Sequence, residues 1–187
     1  MRRSFTWLTL LAAIACAAAI LRGLAGPACV IGNTRCMAPT LREGDVFTEK
    51  PFDFKRDPLK RFQIITFRSP IISGKCWVMR VVGLPGERVM VSKDSLFING
   101  VEVAQRQLPD AIKGKAWLPA MLSDSNHSPQ WELTDDEVFV VGDNLDISND
   151  SRTWGPLKVS SIVGLVSRKM PKEYLWVPFF KKGQAVD

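Results

Sequence analysis

Leu96-Phe97-Ile98-Asn99-Gly100-Val101-Glu102-Val103 decides the fold class. Asn99-Gly100 sits between two apolar alternations. Asn followed by Gly suits a type I′ turn, whose two central residues both take φ > 0 and whose twist matches paired antiparallel strands. The octapeptide therefore predicts a β-hairpin. Moving outward, the same punctuation recurs. Residues 61–67 (RFQIITF), 77–82 (WVMRVV) and 138–141 (VFVV) are short apolar runs, bounded by Pro and Gly turns or, in the last case, running straight into Gly142-Asp143-Asn144. Runs of this length read as strands rather than helices. Between the hairpin and VFVV, residues 104–137 are polar, contain Pro109, Pro119 and Pro129, and show no clean period. They read as an insertion or extended loop. The expected fold class is mainly β with few helices.

The amino terminus follows a different rule. Residues 4–21 carry no charge, Arg2 and Arg3 precede them and Arg22 follows. Eighteen helical residues span about 27 Å, close to the roughly 30 Å of a bilayer's hydrocarbon. Arg2 and Arg3 favour an amino terminus left in the cytoplasm. Residues 1–25 are therefore expected to form a single membrane anchor, a transmembrane helix, ahead of a β domain over residues 26–187. Two alternatives stay open. Gly23-Leu24-Ala25 resembles a signal-peptide cleavage site, and Cys16 offers a lipid attachment point, although Ala13-Ile14-Ala15 before it lacks the usual Leu. Each places residues 26 onward outside the cytoplasm, where thiols oxidise.

Composition narrows the function. The chain has 187 residues, 46% hydrophobic and 24% charged, an ordinary globular mix. Four Cys without paired CxxC spacing, and a single His, argue against a disulfide mini-protein and against a metal centre. No metal or cofactor is expected. Lys and Arg number 25 against 19 acids, a net charge of +6 that would suit nucleic acid. Half of that excess, however, is Arg2, Arg3 and Arg22, which flank the apolar run. No nucleic-acid recognition pattern accompanies the rest. No nucleic-acid partner is expected.

Three blocks then carry the chemistry. They are Thr34-Arg35-Cys36-Met37-Ala38-Pro39-Thr40-Leu41, then Arg80-Val81-Val82-Gly83-Leu84-Pro85-Gly86, and Gly142-Asp143-Asn144 running through Ser148, Asp150 and Arg152 to Trp154-Gly155. In order and spacing, with the hairpin between the second and third, they resemble the type I signal peptidase family. The resemblance covers most of residues 33–103 and 138–166 and leaves 104–137 unmatched. It implies a β-rich, membrane-anchored endopeptidase on the outer face of the inner membrane, cutting exported precursors after small residues with a serine nucleophile and a lysine base. It implies partners as well: exported precursor or pilin-like proteins presenting extended signal-peptide segments, and membrane lipid.

The resemblance puts the nucleophile just before Met37 and the base just before Arg80. Those positions hold Cys36 and Met79. A cysteine needs less activation than a serine, being a few per cent thiolate at neutral pH. Peptide cleavage still requires a proton delivered to the leaving amine, and a methionine neither takes nor gives one. Methionine does match lysine in length and in its unbranched stem, so packing is retained where titration is lost. Thr34 falls where the family has a serine that helps form the oxyanion hole, and it keeps a hydroxyl donor there; a plain turn residue is the competing interpretation. Ser148 matches a serine that hydrogen-bonds the lysine. Asp150 and Arg152 match a structural ion pair. Leu145 replaces a common arginine and Glu87 a common aspartate.

Other bases are poorly placed. His127 lies in the unmatched segment among Ser and Asn. Lys75 shares a strand face with Met79 but sits about 13 Å along the strand. Two functions therefore compete: a non-catalytic relative that binds precursor segments by strand addition, and a cysteine-variant signal peptidase using Cys36. Cys29, Cys36 and Cys76 fall in the exported part, either paired in part or buried as small hydrophobes. Two apolar features bear on the membrane. Residues 174–182 (YLWVPFFKK) suit a bilayer interface or a terminal strand, and Phe52, Phe54 and Trp77 extend, by the same resemblance, a bilayer-facing surface.

Overall fold

The computed structural model describes residues 28–31, 34–118, 128–170 and 185–186. The segments 1–25 and 174–182, and His127, lie outside the described residues. Among the described residues no helix is long and apolar enough to cross a membrane.

The chain folds as expected into strands. They are β1 (Ala28–Ile31), β2 (Val46–Pro51), β3 (Ile64–Arg68), β4 (Cys76–Gly83), β5 (Arg88–Val91), β6 (Leu96–Ile98), β7 (Val101–Glu102), β8 (Gln130–Glu132), β9 (Glu137–Val141), β10 (Leu157–Lys158), β11 (Ile162–Met170) and β12 (Ala185–Val186). A short α-helix, α1 (Ser151–Trp154), is capped by the Asp150 side chain. Among the described residues these strands make two sheets. The larger runs β10-β9-β4-β3-β11-β2-β1-β12 and the smaller β7-β6-β5-β8.

The hairpin that set the fold class is present. β6 and β7 pair antiparallel, with Asn99 at φ 53° and Gly100 at φ 80°. Positive φ at both turn residues is what a type I′ turn demands. β3 begins later than the apolar run that predicted it. Phe62 takes φ 67°, its N–H bonded to the Val81 carbonyl at 2.7 Å and its own carbonyl held by Arg80 at 2.7 Å. That left-handed residue ends any strand through 61–62, so pairing starts at Ile64.

Two apolar cores share strands. The first gathers Met37, Leu41, Phe47, Ile65, Phe67, Met79, Val138 and Val140; the second gathers Val89, Leu96, Trp117, Leu133, Phe139 and Val141. β9 divides its residues between them, with Val138 and Val140 facing the first and Phe139 and Val141 the second. A strand buried on both faces reads as a continuous apolar run. That is why VFVV shows no alternation.

Residues 104–118 are irregular, as their composition predicts, but they are not a loose insertion. Leu108, Ile112, Trp117 and Leu118 are buried in the second core, and β8 pairs with β5. Their spacing follows the surface of the smaller sheet rather than any helical or strand period. Trp117 is fully buried. Replacing it should therefore behave as a core deletion: in urea unfolding, Trp117→Ala is expected to lose about 3–5 kcal/mol. A solvated loop residue would change stability by no more than about 0.5 kcal/mol.

Candidate functional site

Two loops from distant parts of the chain meet here. The first runs from β1 to β2. Met37 and Leu41 are buried, and the Leu41 N–H bonds the Met37 carbonyl at 2.9 Å. This tight turn fixes Cys36, which is half-buried, at its outer edge. Thr34 folds back onto it. The Thr34 hydroxyl donates to the Cys36 sulfur at 3.0 Å and accepts from the Cys36 N–H at 3.2 Å.

The second loop, residues 142–150, links β9 to α1. The Asn144 N–H donates to the Cys36 carbonyl at 2.8 Å. A β-carbon on Gly142 would lie 2.6 Å from that carbonyl oxygen and 2.3 Å from Ser148 Oγ. Glycine is needed there because the two loops touch across it. The loops carrying Thr34, Cys36 and Ser148 thus lie against each other.

Buried ion pairs hold both loops. Asp143 is fully buried and accepts from Arg80 Nε and Nη2, each at 2.6 Å, and from the Thr40 hydroxyl. Asp150 accepts from the Gly142 N–H at 3.1 Å and from Arg152 Nε at 2.8 Å. Arg152 in turn donates to the carbonyls of Trp117 (2.8 Å) and Leu145 (2.7 Å). Arg80, Asp143 and Thr40 were visible within the quoted motifs, but only this geometry gives them a role.

Met79 stands in the middle of β4, paired with Ile65 and buried in the same core as Met37. Its thioether carries no exchangeable proton. Ser148 Oγ is buried and has no hydrogen-bond partner. Leu145 is buried in the second core, and Glu87 accepts from both Arg61 and the Leu84 N–H. Both substitutions are absorbed into structure. Lys75 lies exposed in the turn before β4.

The three described thiols are free, so no disulfide ties Cys36 to Cys29 or Cys76. Burial, with Glu49 alongside, pushes the Cys29 thiol up to about 12. Cys29 is a core residue and stays protonated at neutral pH. Among the described residues no three His, Cys, Asp or Glu side chains converge to hold a metal ion.

A buried hydroxyl without a partner costs stability, because its lost hydration is not replaced. Ser148→Ala is therefore expected to raise the unfolding free energy by about 1 kcal/mol in urea titrations. A loss of that size would show that Ser148 has a partner after all.

Comparisons with known proteins identify the family. A family model described as signal peptidase, peptidase S26, matches residues 4–170. Signal peptidase I V of Bacillus subtilis (strain 168) is 32% identical over 133 residues, covering 70% of this chain and 78% of the relative. Signal peptidase I of Bacillus caldolyticus is 31% identical over 140 residues, covering 71% of this chain and 72% of the relative. A crystal structure of a signal peptidase I from Enterococcus faecalis V583 aligns with TM-score 0.46 and 30% identity, over 59% of this chain and 98% of that one. With the motif blocks in order and the matched region spanning both loops of the site, the chain belongs to the type I signal peptidase family, peptidase S26.

Proposed function

We propose that this protein is a membrane-anchored, non-catalytic signal peptidase relative that binds extended segments of exported precursors, pilin-like subunits among them. One observation carries this above the others: Met79 fills the base position while Ser148 Oγ beside the Cys36 loop has no partner. Amide cleavage needs a group that takes the nucleophile's proton and returns it to the leaving amine. A thioether does neither. The Thr34 geometry supports the same conclusion. An oxyanion hole works through donors aimed at the developing charge, whereas the Cys36 N–H is already bonded to the Thr34 hydroxyl.

The surroundings support binding at a membrane. β2 and β3 both run antiparallel to β11 between them, so Pro51 and Arg68 end at the same side of the sheet. β1 pairs antiparallel with β2, Ala28 opposite Thr48, so β1 starts on that side too. Phe54, Ile71 and Ile72 are about half exposed there. Phe52 and Trp77 instead pack on the first core. We assign residues 1–25 as the anchor, residues 26–187 as the β domain with 104–137 as its variable part, and the domain to the outer side of the inner membrane with that side of the sheet against lipid. Met79 then stands about 10 Å along β4 from Cys76.

A second function has one observation in its favour. Cys36 is a free, half-buried thiol whose sulfur accepts a hydroxyl hydrogen bond at 3.0 Å. A cysteine-variant endopeptidase would use that thiol. One experiment separates the two. Membranes carrying the native chain and a Cys36→Ser, Met79→Lys variant are each given a signal-peptide-bearing precursor. The native chain is expected to leave it uncut and the double variant to process it. Processing by the native chain, abolished in Cys36→Ala, would establish the cysteine peptidase instead.

A further inference from the structure

Residues 104–118 match none of the motif blocks, yet they reach the site. Lys115 Nζ donates to the Asp143 carbonyl at 2.8 Å. The N–H of the same peptide unit, on Asn144, donates to the Cys36 carbonyl at 2.8 Å. Across a trans peptide the carbonyl oxygen and the amide hydrogen point to opposite sides. Lys115 and Cys36 therefore flank one peptide plane. The ammonium bonds the carbonyl oxygen of this unit. It acts on the peptide: a charged donor on the oxygen polarises the unit and strengthens its N–H as a donor.

The lysine is itself held in place. Trp117, two residues on, is fully buried, and its carbonyl accepts from Arg152 at 2.8 Å. Arg152 is paired with Asp150, whose carboxylate also accepts the Gly142 N–H at 3.1 Å. The segment is thus tied to the 142–150 loop directly through Lys115 and indirectly through Arg152 and Asp150. We infer that Lys115 is a positioning residue for Cys36, acting through the peptide bond between Asp143 and Asn144. The inference concerns where Cys36 is held and is independent of whether the site cleaves peptides.

The test uses the full chain in detergent, with iodoacetamide alkylation of each cysteine followed by mass spectrometry. In Lys115→Met the weakened Asn144 hydrogen bond releases the Cys36 turn, and Cys36 alkylation is expected to rise about fivefold. Cys76, half-buried at the start of β4, serves as the internal control and should stay within about twofold. Lys115→Arg, which keeps a charged donor, should restore the wild-type Cys36 rate. Lys115→Gln replaces the methionine variant if the latter fails to fold, with the same selective rise expected. An unchanged Cys36 rate, a parallel rise at Cys36 and Cys76, or failure of arginine to rescue would each overturn the assignment. None of these outcomes bears on precursor processing, so its failure is distinguishable from failure of the proposed function.

Discussion

The Asp143 carboxylate holds the site together. It is fully buried, and both of its oxygens are occupied by Arg80 of β4 and the Thr40 hydroxyl of the β1–β2 loop. Taking a charge pair out of water costs several kcal/mol per ion, and only good geometry with every lone pair satisfied offsets it. That condition makes the pair a strict constraint. The central strand, the 142–150 loop and the Cys36 turn must each arrive in register, or a charge is left buried alone. Arg80 also donates to the carbonyl of Phe62, so the same side chain fixes where β3 begins.

This network does not involve the side chains of Cys36 or Met79. Arg80 is adjacent to Met79 in sequence, but neighbouring residues on a strand face opposite ways. Arg80 points to Asp143 while Met79 packs in the core. A lysine can therefore give way to a methionine of similar length without disturbing the ion pair. The Ser148 hydroxyl is buried without a hydrogen-bond partner. Asp150 and Arg152 make a second buried pair on the other side of the loop, equally indifferent to the dyad.

What the sequence disclosed follows from how local each signal is. Asn99-Gly100 and the short apolar runs report local backbone preferences, so the hairpin and most strands were legible. The start of β3 was not, because Phe62 takes a left-handed conformation that only the distant Arg80 and Val81 enforce. Leu108, Ile112 and Trp117 were read as loop because their burial is decided by a sheet elsewhere in the chain. Cys36, Met79, Thr34 and Ser148 stand out in the sequence only through the motif resemblance. Lys115 was not legible at all. Its bond goes to a backbone carbonyl, and any residue at position 143 offers one.

The central claim is that the site receives precursor segments and returns them whole. The most direct measurement incubates the full-length protein in lipid vesicles with a synthetic peptide spanning a signal-peptide cleavage region, following binding by fluorescence anisotropy and recovering the peptide for mass spectrometry. The account predicts saturable binding and an intact peptide after prolonged incubation. A peptide cut at a single bond would contradict it, and so would the absence of binding.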